Sequence, residues 1–390
     1  MVVIGAGPIG IAAAFELRQR DHEVVVLEAD DVGHALMRWG NTRFFSPLGM
    51  NVPRGFRRVL GSRMPPDDVL LTGPEMVERV LAPVAASPAL TGCVRAHHRV
   101  VAVGRAGMLR GDHAGHPLRG ERPFQLLVET SSGEQRFDAD VVLDASGASR
   151  LSTFLGAGGL PAQGERALAD RLVRDLGRFA ERLPSFPGRR VLLVGHGHSA
   201  ATAALALAGL AAAEPSTRVI WAVRSAQRRP VLEVCPDPLP ERRRVASSAN
   251  DLAADPPAFL DVRRRTSVER LEARSAGIRV RFSGGDEDDF DAVVALTGFR
   301  PDLSFVSELA LEISPANEGA ARLSRALGNV TDCLSVPAVS AGDLESGEPG
   351  FYFVGAKSYG RGRTFLLRTG LAHLETILSR AVSPTGTTFA

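Results

Sequence analysis

Apolar residues fall in short runs that end in glycine-rich turns. Val2-Val3-Ile4 leads into Gly5-Ala6-Gly7-Pro8-Ile9-Gly10, and Ile11–Arg18 then takes on helical character. Glu23–Leu27 is a second apolar run, stopped at Glu28. Strand, tight turn, helix and strand make a βαβ unit, the smallest piece of a helix-covered parallel sheet. The first strand starts abruptly, as if the natural chain began a few residues earlier. About 190 residues on, the pattern recurs. Val191–Val194 is a strand, Gly195-His196-Gly197-His198-Ser199-Ala200 a turn, Ala201–Ala213 a helix and Arg218–Val223 a strand ending at Arg224.

Between these units the pattern weakens. A Gly-, Pro- and Arg-rich stretch from about Asp30 to Pro66 reads as a long loop, of the kind that carries function. Thr72-Gly73-Pro74 caps a predicted helix over Glu75–Ala85. Strands are expected at Val100–Val103, Phe124–Glu129 and Val141–Leu143, and residues 147–189 read as a connection. Val293–Leu296 and Phe351–Val354 are later strands. Gly355 to Arg363 is expected as a loop, Thr364–Arg380 as an amphipathic helix and the last ten residues as a polar tail. The expected fold class is α/β with two Rossmann-like units: residues 1–150 and 296–390 form the first, into which 151–295 insert the second.

Composition narrows the function. At 44% hydrophobic and 23% charged the chain is an ordinary globular protein, and a net charge of +2 argues against nucleic acid as a partner. Cys93, Cys235 and Cys333 are far apart, with no C-x-x-C. Neither a disulfide framework, a zinc site nor a paired-thiol redox centre is expected, and a cytoplasmic location follows from reducing conditions. No basic leader precedes Val2, and the apolar run Ala200–Ala213 falls short of the about 20 residues that a membrane span needs. Of 46 basic residues, Lys357 is the single lysine, which marks it for attention.

The first turn is a G-x-G-x-x-G in the context that gives the motif meaning. Gly5 permits the tight turn, Gly7 clears the approach of a pyrophosphate and Gly10 lets helix and strand pack. The helix N-terminus offers free N–H groups and a positive dipole end, and Glu28 is placed to accept from a ribose diol. The second turn ends in Ala200, and its following strand ends in Arg224, with Arg228 and Arg229 beyond and no acid. A guanidinium there pairs with a 2′-phosphate that a carboxylate would repel. The expected cofactors are therefore FAD at the first turn and NADPH at the second.

Gly5–Gly10 with Glu28, Gly195–Ala200, the turns Asp144-Ala145-Ser146-Gly147 and Leu296-Thr297-Gly298-Phe299, and the loop at Gly355 resemble the two-dinucleotide-binding-domain flavoproteins. Trp39-Gly40, the run Leu296–Pro301 and the missing C-x-x-C are similar to the bacterial flavin-containing (class B) monooxygenases. The F-x-G-x-x-x-H fingerprint of that group is absent; Gly158–Glu165 stands in its place, so an atypical branch is implied. The resemblance implies an FAD-dependent, NADPH-consuming monooxygenase that works through a C4a-(hydro)peroxyflavin on a small nitrogen or sulfur nucleophile or a ketone, with O₂ as co-substrate.

The resemblance also implies site roles. Gly5, Gly7, Pro8, Ile9, Gly10, Glu28, Ala29, Arg38, Trp39, Val101, Ala145, Ser146 and Gly147 would hold FAD. Gly195, Gly197, His198, Ser199, Ala200 and Arg224 would hold NADPH. Thr297, Gly298, Gly355, Lys357, Thr364 and Phe365 would line the flavin, with the closing helix aimed at the flavin N1–C2=O edge. Ser46, Asn51 and Lys357 are the candidate catalytic residues: hydrogen-bonding groups for flavin edges or an oxygen adduct, and an ammonium for the reduced flavin or NADPH phosphates. No metal site is expected, and a homo-oligomer is left open. Two rivals stand beside this reading: an NADPH-dependent flavin reductase serving a quinone, metal ion or partner, and a non-catalytic FAD/NADP redox sensor.

Overall fold

The computed structural model describes residues 1–381; the expected polar tail, apart from Ala381, lies outside the described residues. Strand β1 (Val2–Ile4) passes through the first glycine turn into the helix Pro8–Arg18, followed by β2 (Val25–Leu27). Next come β3 (Val94–Arg95), β4 (Arg99–Arg105), β5 (Phe124–Thr130), β6 (Gly133–Ala139) and β7 (Val142–Asp144). After β8 (Leu151–Ser152), β9 (Arg190–Val194) enters the second turn and the helix His198–Ala213, then β10 (Arg218–Val223), the helix Pro240–Ala254 and β11 (Leu260–Arg264). Strands β12 (Val268–Arg274), β13 (Gly277–Phe282), β14 (Glu287–Phe290) and β15 (Ala292–Ala295) follow, then β16 (Phe299–Arg300), β17 (Phe351–Phe353) and the closing helix Leu367–Ala381.

Two parallel sheets repeat one plan, in the orders β17-β7-β1-β2-β3 and β11-β10-β9-β15. In each, the strand before the glycine turn pairs on one side with the next strand of its unit and on the other with a strand from much later in the chain. That is a topological switch point, where ligands settle at the carboxyl ends of strands. Such strands are covered on both faces and need continuous apolar sequence. β1 and β15 are buried at every position. The period of two splits the second sheet's core: Val191, Leu193 and Trp221 face helices, while Leu192, Ile220 and Val293 face β12–β14.

Strands β8 and β16, where the chain leaves the first sheet and returns to it, pair antiparallel with Phe299 opposite Ser152. The Thr153 N–H donates to Gly298 O at 2.9 Å and the Thr297 hydroxyl to Thr153 O at 2.9 Å. The two crossings therefore form one short ribbon between the sheets.

Several expectations shift. Both post-glycine helices begin three residues early, at Pro8 and His198, because the last turn residues already form the first helical turn. Thr72 caps as expected, accepting from the Glu75 N–H at 3.2 Å while its own N–H donates to Glu75 at 2.7 Å. Gly355–Arg363 is not wholly loop, since Ala356–Tyr359 forms a helical turn. The closing helix starts at Leu367 rather than Thr364, so Thr364 and Phe365 precede it and the Phe365 ring packs on Tyr359 at 5.4 Å. The Asp30–Pro66 stretch holds short helical turns at His34–Met37, Leu48–Met50 and Gly55–Leu60. Strand β6 and the helix Pro240–Ala254 were not anticipated.

A buried ion cluster ties the ends of the first unit together. Glu348 accepts from Arg105 Nε at 2.8 Å, Arg119 Nη2 at 2.8 Å and the Ala310 N–H at 2.8 Å, and all three charged side chains are inaccessible. Burial by itself would push the Glu348 carboxyl up, but the Arg119 and Arg105 guanidiniums and the Ala310 amide outweigh it, leaving it below its ordinary value. Glu348→Gln strands two guanidiniums and should cost about 3–5 kcal/mol, read as a fall in Tm. The lowered carboxyl contributes stability above an unfolded pKa of about 4.3, lost as pH falls through the lower folded value. The variant should lack that acid-side slope; an unchanged Tm would refute the cluster's role.

Candidate functional site

A continuous cleft of about 1870 Å³ runs along the carboxyl ends of both parallel sheets and faces both glycine turns. Steric fit explains the turn sequences. Gly5 has φ +99°, and a Cβ there would lie 2.9 Å from Ala145 O; Gly195 has φ +129°, and a Cβ would lie 2.3 Å from Leu296 O. A Cβ on Gly7 or Gly197 would instead meet nothing within 4 Å, so both middle glycines leave open space. The helices that start there, at N-caps Gly7 and Gly197, have no side-chain cap. Uncapped N–H groups, a positive dipole end and free space suit a diphosphate at each turn.

The turns differ at the ribose end. Glu28 Oε2 accepts the Ala6 N–H at 2.6 Å and Oε1 the Asp30 N–H at 2.9 Å, which fixes its carboxylate beside the first turn. In the second unit the Gly195 N–H donates to Ala222 O as the Gly5 N–H does to Leu27 O, so Val223 holds the register place of Glu28 and Arg224 follows it. Arg224 lines the cleft and makes no hydrogen bond or ion pair among the described residues. His196 is pushed below its ordinary pKa by burial first, then by Arg224 and Arg363. His198 is lowered by burial and by Arg242 and Arg363, against Asp237. Both imidazoles are thus biased to the neutral form, and its ring stacks edge-on to Phe45 at 5.3 Å in the case of His198.

Most of the expected site residues share this cleft. Gly5, Gly7, Pro8, Ile9, Glu28, Ala29, Arg38, Trp39, Val101, Ala145, Ser146 and Gly147 line its first-unit part. Gly195, Gly197, His198, Ser199, Arg224, Thr297, Gly298, Gly355, Lys357 and Phe365 line the remainder, as do Ser46 and Asn51. Three do not reach it: Gly10, whose Cβ would strike Gly5 O at 1.9 Å, Ala200, which packs under Gly195, and Thr364.

The candidate catalytic residues are more engaged than expected. The Ser46 hydroxyl donates to Asn51 Oδ1 at 2.7 Å, and Asn51 Nδ2 donates back to Ser46 O at 3.0 Å, with both side chains buried. They brace each other and the loop they share. Lys357 is buried at 1% exposure beneath the cleft wall. Its ammonium donates to Ser146 Oγ at 3.0 Å and to Asp302 O, and lies 3.4 Å from Asp144 Oδ2. The ammonium expected to face the reduced flavin or NADPH phosphates is a strut between β7, the loop after β16 and the Gly355 turn. Arg38 is committed too: Nη2 donates to Asp175 at 2.5 Å, and Arg38 O accepts the Gly177 N–H at 2.8 Å. A Cβ on Gly177 would lie 2.2 Å from Arg38 O, so this glycine lets the two units close on each other.

Sequence reasoning missed Arg363, Arg242 and Cys333, all in the cleft. Arg242 Nη1 donates to Cys333 Sγ at 2.8 Å, while Nε and Nη2 grip Asp237 at 2.7 and 2.8 Å. Burial raises the Cys333 thiol above its ordinary value despite Arg242, which keeps it protonated at neutral pH. Among the described residues no cluster of three or more His, Cys, Asp or Glu is placed to hold a metal ion, and no helix is long and apolar enough to cross a membrane.

Comparison with known proteins agrees with this architecture. The family model of the pyridine nucleotide-disulphide oxidoreductases matches residues 1–322. No curated protein sequence matches the chain. The bacillithiol disulfide reductase of Bacillus cereus has a similar structure, at 18% identity and TM-score 0.68, covering 97% of this chain and 97% of that one. The ornithine N-hydroxylase of Kutzneria sp. 744, solved with reduced FAD and NADP⁺, is similar at 16% identity and TM-score 0.63 over 98% and 99%. A flavin monooxygenase variant from Stenotrophomonas maltophilia is similar at 20% identity and TM-score 0.57 over 97% and 98%.

Replacing Lys357 by Met leaves the Asp144 carboxylate buried without its cation. The expected result is a lower Tm and weaker retention of FAD, with a loss of about 3–5 kcal/mol. Adding Asp144→Asn should recover part of it, since the two sites share one interaction. Additive losses would show that the two side chains act independently.

Proposed function

The chain belongs to the pyridine nucleotide-disulphide oxidoreductase family, and within it we propose an FAD-dependent, NADPH-consuming monooxygenase. The chain is a flavin oxidoreductase that uses FAD and NAD(P)H. The substrate we assign is a small molecule with a nucleophilic nitrogen or sulfur, or a ketone. The overall balance is NADPH, H⁺, O₂ and substrate to NADP⁺, water and a substrate carrying one added oxygen.

The observation that carries the reading is the thiol content of the cleft. It faces both glycine turns, yet Cys333 is the one cysteine among its lining residues; Cys93 is buried outside it and Cys235 is exposed outside it. A dithiol relay needs two adjacent sulfurs. When bound, FAD supplies the redox chemistry, accepting a hydride and passing electrons onward. The chain's own residues bind and orient. Glu28 and the Gly7 turn suit an unphosphorylated ribose with its pyrophosphate; Arg224 and the Gly197 turn suit a 2′-phosphorylated one. Trp39 and Phe44, 4.8 Å apart, and Phe45 put aromatic rings on the cleft wall, which supports a site that must limit water around an oxygenating centre. Ser46 and Asn51 hold that wall in shape.

Cys333 bears on one rival, an NADPH-dependent reductase of an external acceptor. Cys333 is a single thiol in the cleft, so it could serve only a mixed disulfide with an external partner, and burial, which holds its proton, works against that role.

Anaerobic reduction by NADPH followed by O₂ separates the two. With the right amine, thioether or ketone, NADPH consumption should accelerate, H₂O₂ should fall well below one per NADPH, and the product should gain one oxygen by mass spectrometry. One H₂O₂ per NADPH with every substrate, together with fast anaerobic turnover of a disulfide or quinone, would replace the monooxygenase by the reductase.

A further inference from the structure

One cation that the first unit contributes to the cleft, Arg363, has no partner among the described residues. Arg363 follows β17 and the Ala356–Tyr359 turn, so it is carried by the first unit. Its backbone is held from both sides. The Arg361 N–H donates to Asn317 O at 2.7 Å and the Gly362 N–H to Tyr359 O at 2.8 Å. Gly360, at φ +59°, packs so closely that a Cβ would lie 2.1 Å from Asn317 O. A segment pinned this way presents its next side chain in a defined place.

That side chain lines the cleft and makes no hydrogen bond or ion pair among the described residues. Neighbouring arginines behave otherwise: Arg361 and Arg300 both pair with Glu318. The charge of Arg363 acts on His196 and His198, which flank Gly197 in the second turn. Arg363 lines the same cleft as His196, Gly197 and His198, and Arg224 follows the strand end that matches Glu28, at the ribose end of the turn. The uncapped helix at Gly197 opens toward the same space.

We infer that Arg363 is a clamp for the pyrophosphate of the nicotinamide dinucleotide, contributed by the FAD-side unit to a site on the other unit. This rests on the reading of the second turn as the NADPH site. A diphosphate there would be met by helix N–H groups and by a planar guanidinium able to bind two oxygens at once. Both guanidiniums are exposed, so water solvates them until the ligand brings its anions. The arrangement divides recognition: Arg224 reads the 2′-phosphate, whereas Arg363 reads what NADPH and NADH share. It also makes the dinucleotide a bridge between the units.

Calorimetric binding of NADP⁺ and of NAD⁺ to the FAD-loaded protein tests this without turnover. Arg363→Gln should raise the Kd of both dinucleotides by a similar factor, about ten- to a hundredfold. Arg224→Gln should raise that of NADP⁺ alone. Arg363→Lys, which keeps charge but loses the two-oxygen grip, should fall between, and is the variant to read if the Gln form loses FAD. Unchanged affinities in Arg363→Gln would overturn the clamp, and a loss confined to NADP⁺ would move Arg363 to the 2′-phosphate and overturn the pyrophosphate assignment. A wild-type protein that binds neither dinucleotide would defeat the NADPH reading itself, whatever Arg363 does.

Discussion

At both glycine turns the backbone passes beneath a carbonyl of the neighbouring turn, Ala145 O over Gly5 and Leu296 O over Gly195, closer than any side chain allows. This contact joins three things. It sets the spacing of the central strand against the strand that returns from later in the chain. It aims the next helix at the cleft. It also keeps the middle glycine clear of everything, so the helix N-terminus is open. The cleft is the shared consequence of two such contacts, one in each sheet.

Charge is then distributed so that the two halves of the cleft differ. On the first-unit side, Glu28 is tied to backbone N–H groups and Lys357 to Asp144, Ser146 and Asp302, so each charge has an internal partner. Around the second turn, Arg224 and, from the first unit, Arg363 line the cleft without one among the described residues. A cofactor that stays bound suits a half already balanced. One that arrives with two or three phosphate charges and leaves again suits a half that lacks anions. Between the halves, the β8–β16 ribbon and the Arg38–Asp175 pair hold the sheets together.

Much of this was legible in sequence because it rests on steric rules with narrow solutions. Apolar strands running into G-x-G located β1, β9 and both turns, and Glu28 against Arg224 distinguished them. Strand β6 was not legible: GEQRFDA is an exposed edge whose pairing comes from β5, not from its own alternation. The helix Pro240–Ala254 was hidden by its charged first turns, though Val245, Ala246, Ala249 and Ala253 recur at helical spacing and are buried. Lys357 was singled out by its rarity and does line the cleft, but rarity said nothing of its partners. Asp144 and Asp302 are more than fifty positions away, and only the packed sheet brings them to it. Arg363 was passed over because one arginine among 45 carries no signal until its lack of a partner is seen.

A cleft that faces two glycine turns has room for two dinucleotides at once. Equilibrium dialysis of the FAD-loaded protein against NADP⁺, with both cofactors quantified, measures whether it holds them. One FAD and one NADP⁺ per chain together are expected, with FAD undisplaced at saturating NADP⁺. Loss of FAD in step with NADP⁺ uptake, meaning a single site for which the two compete, would contradict this expectation.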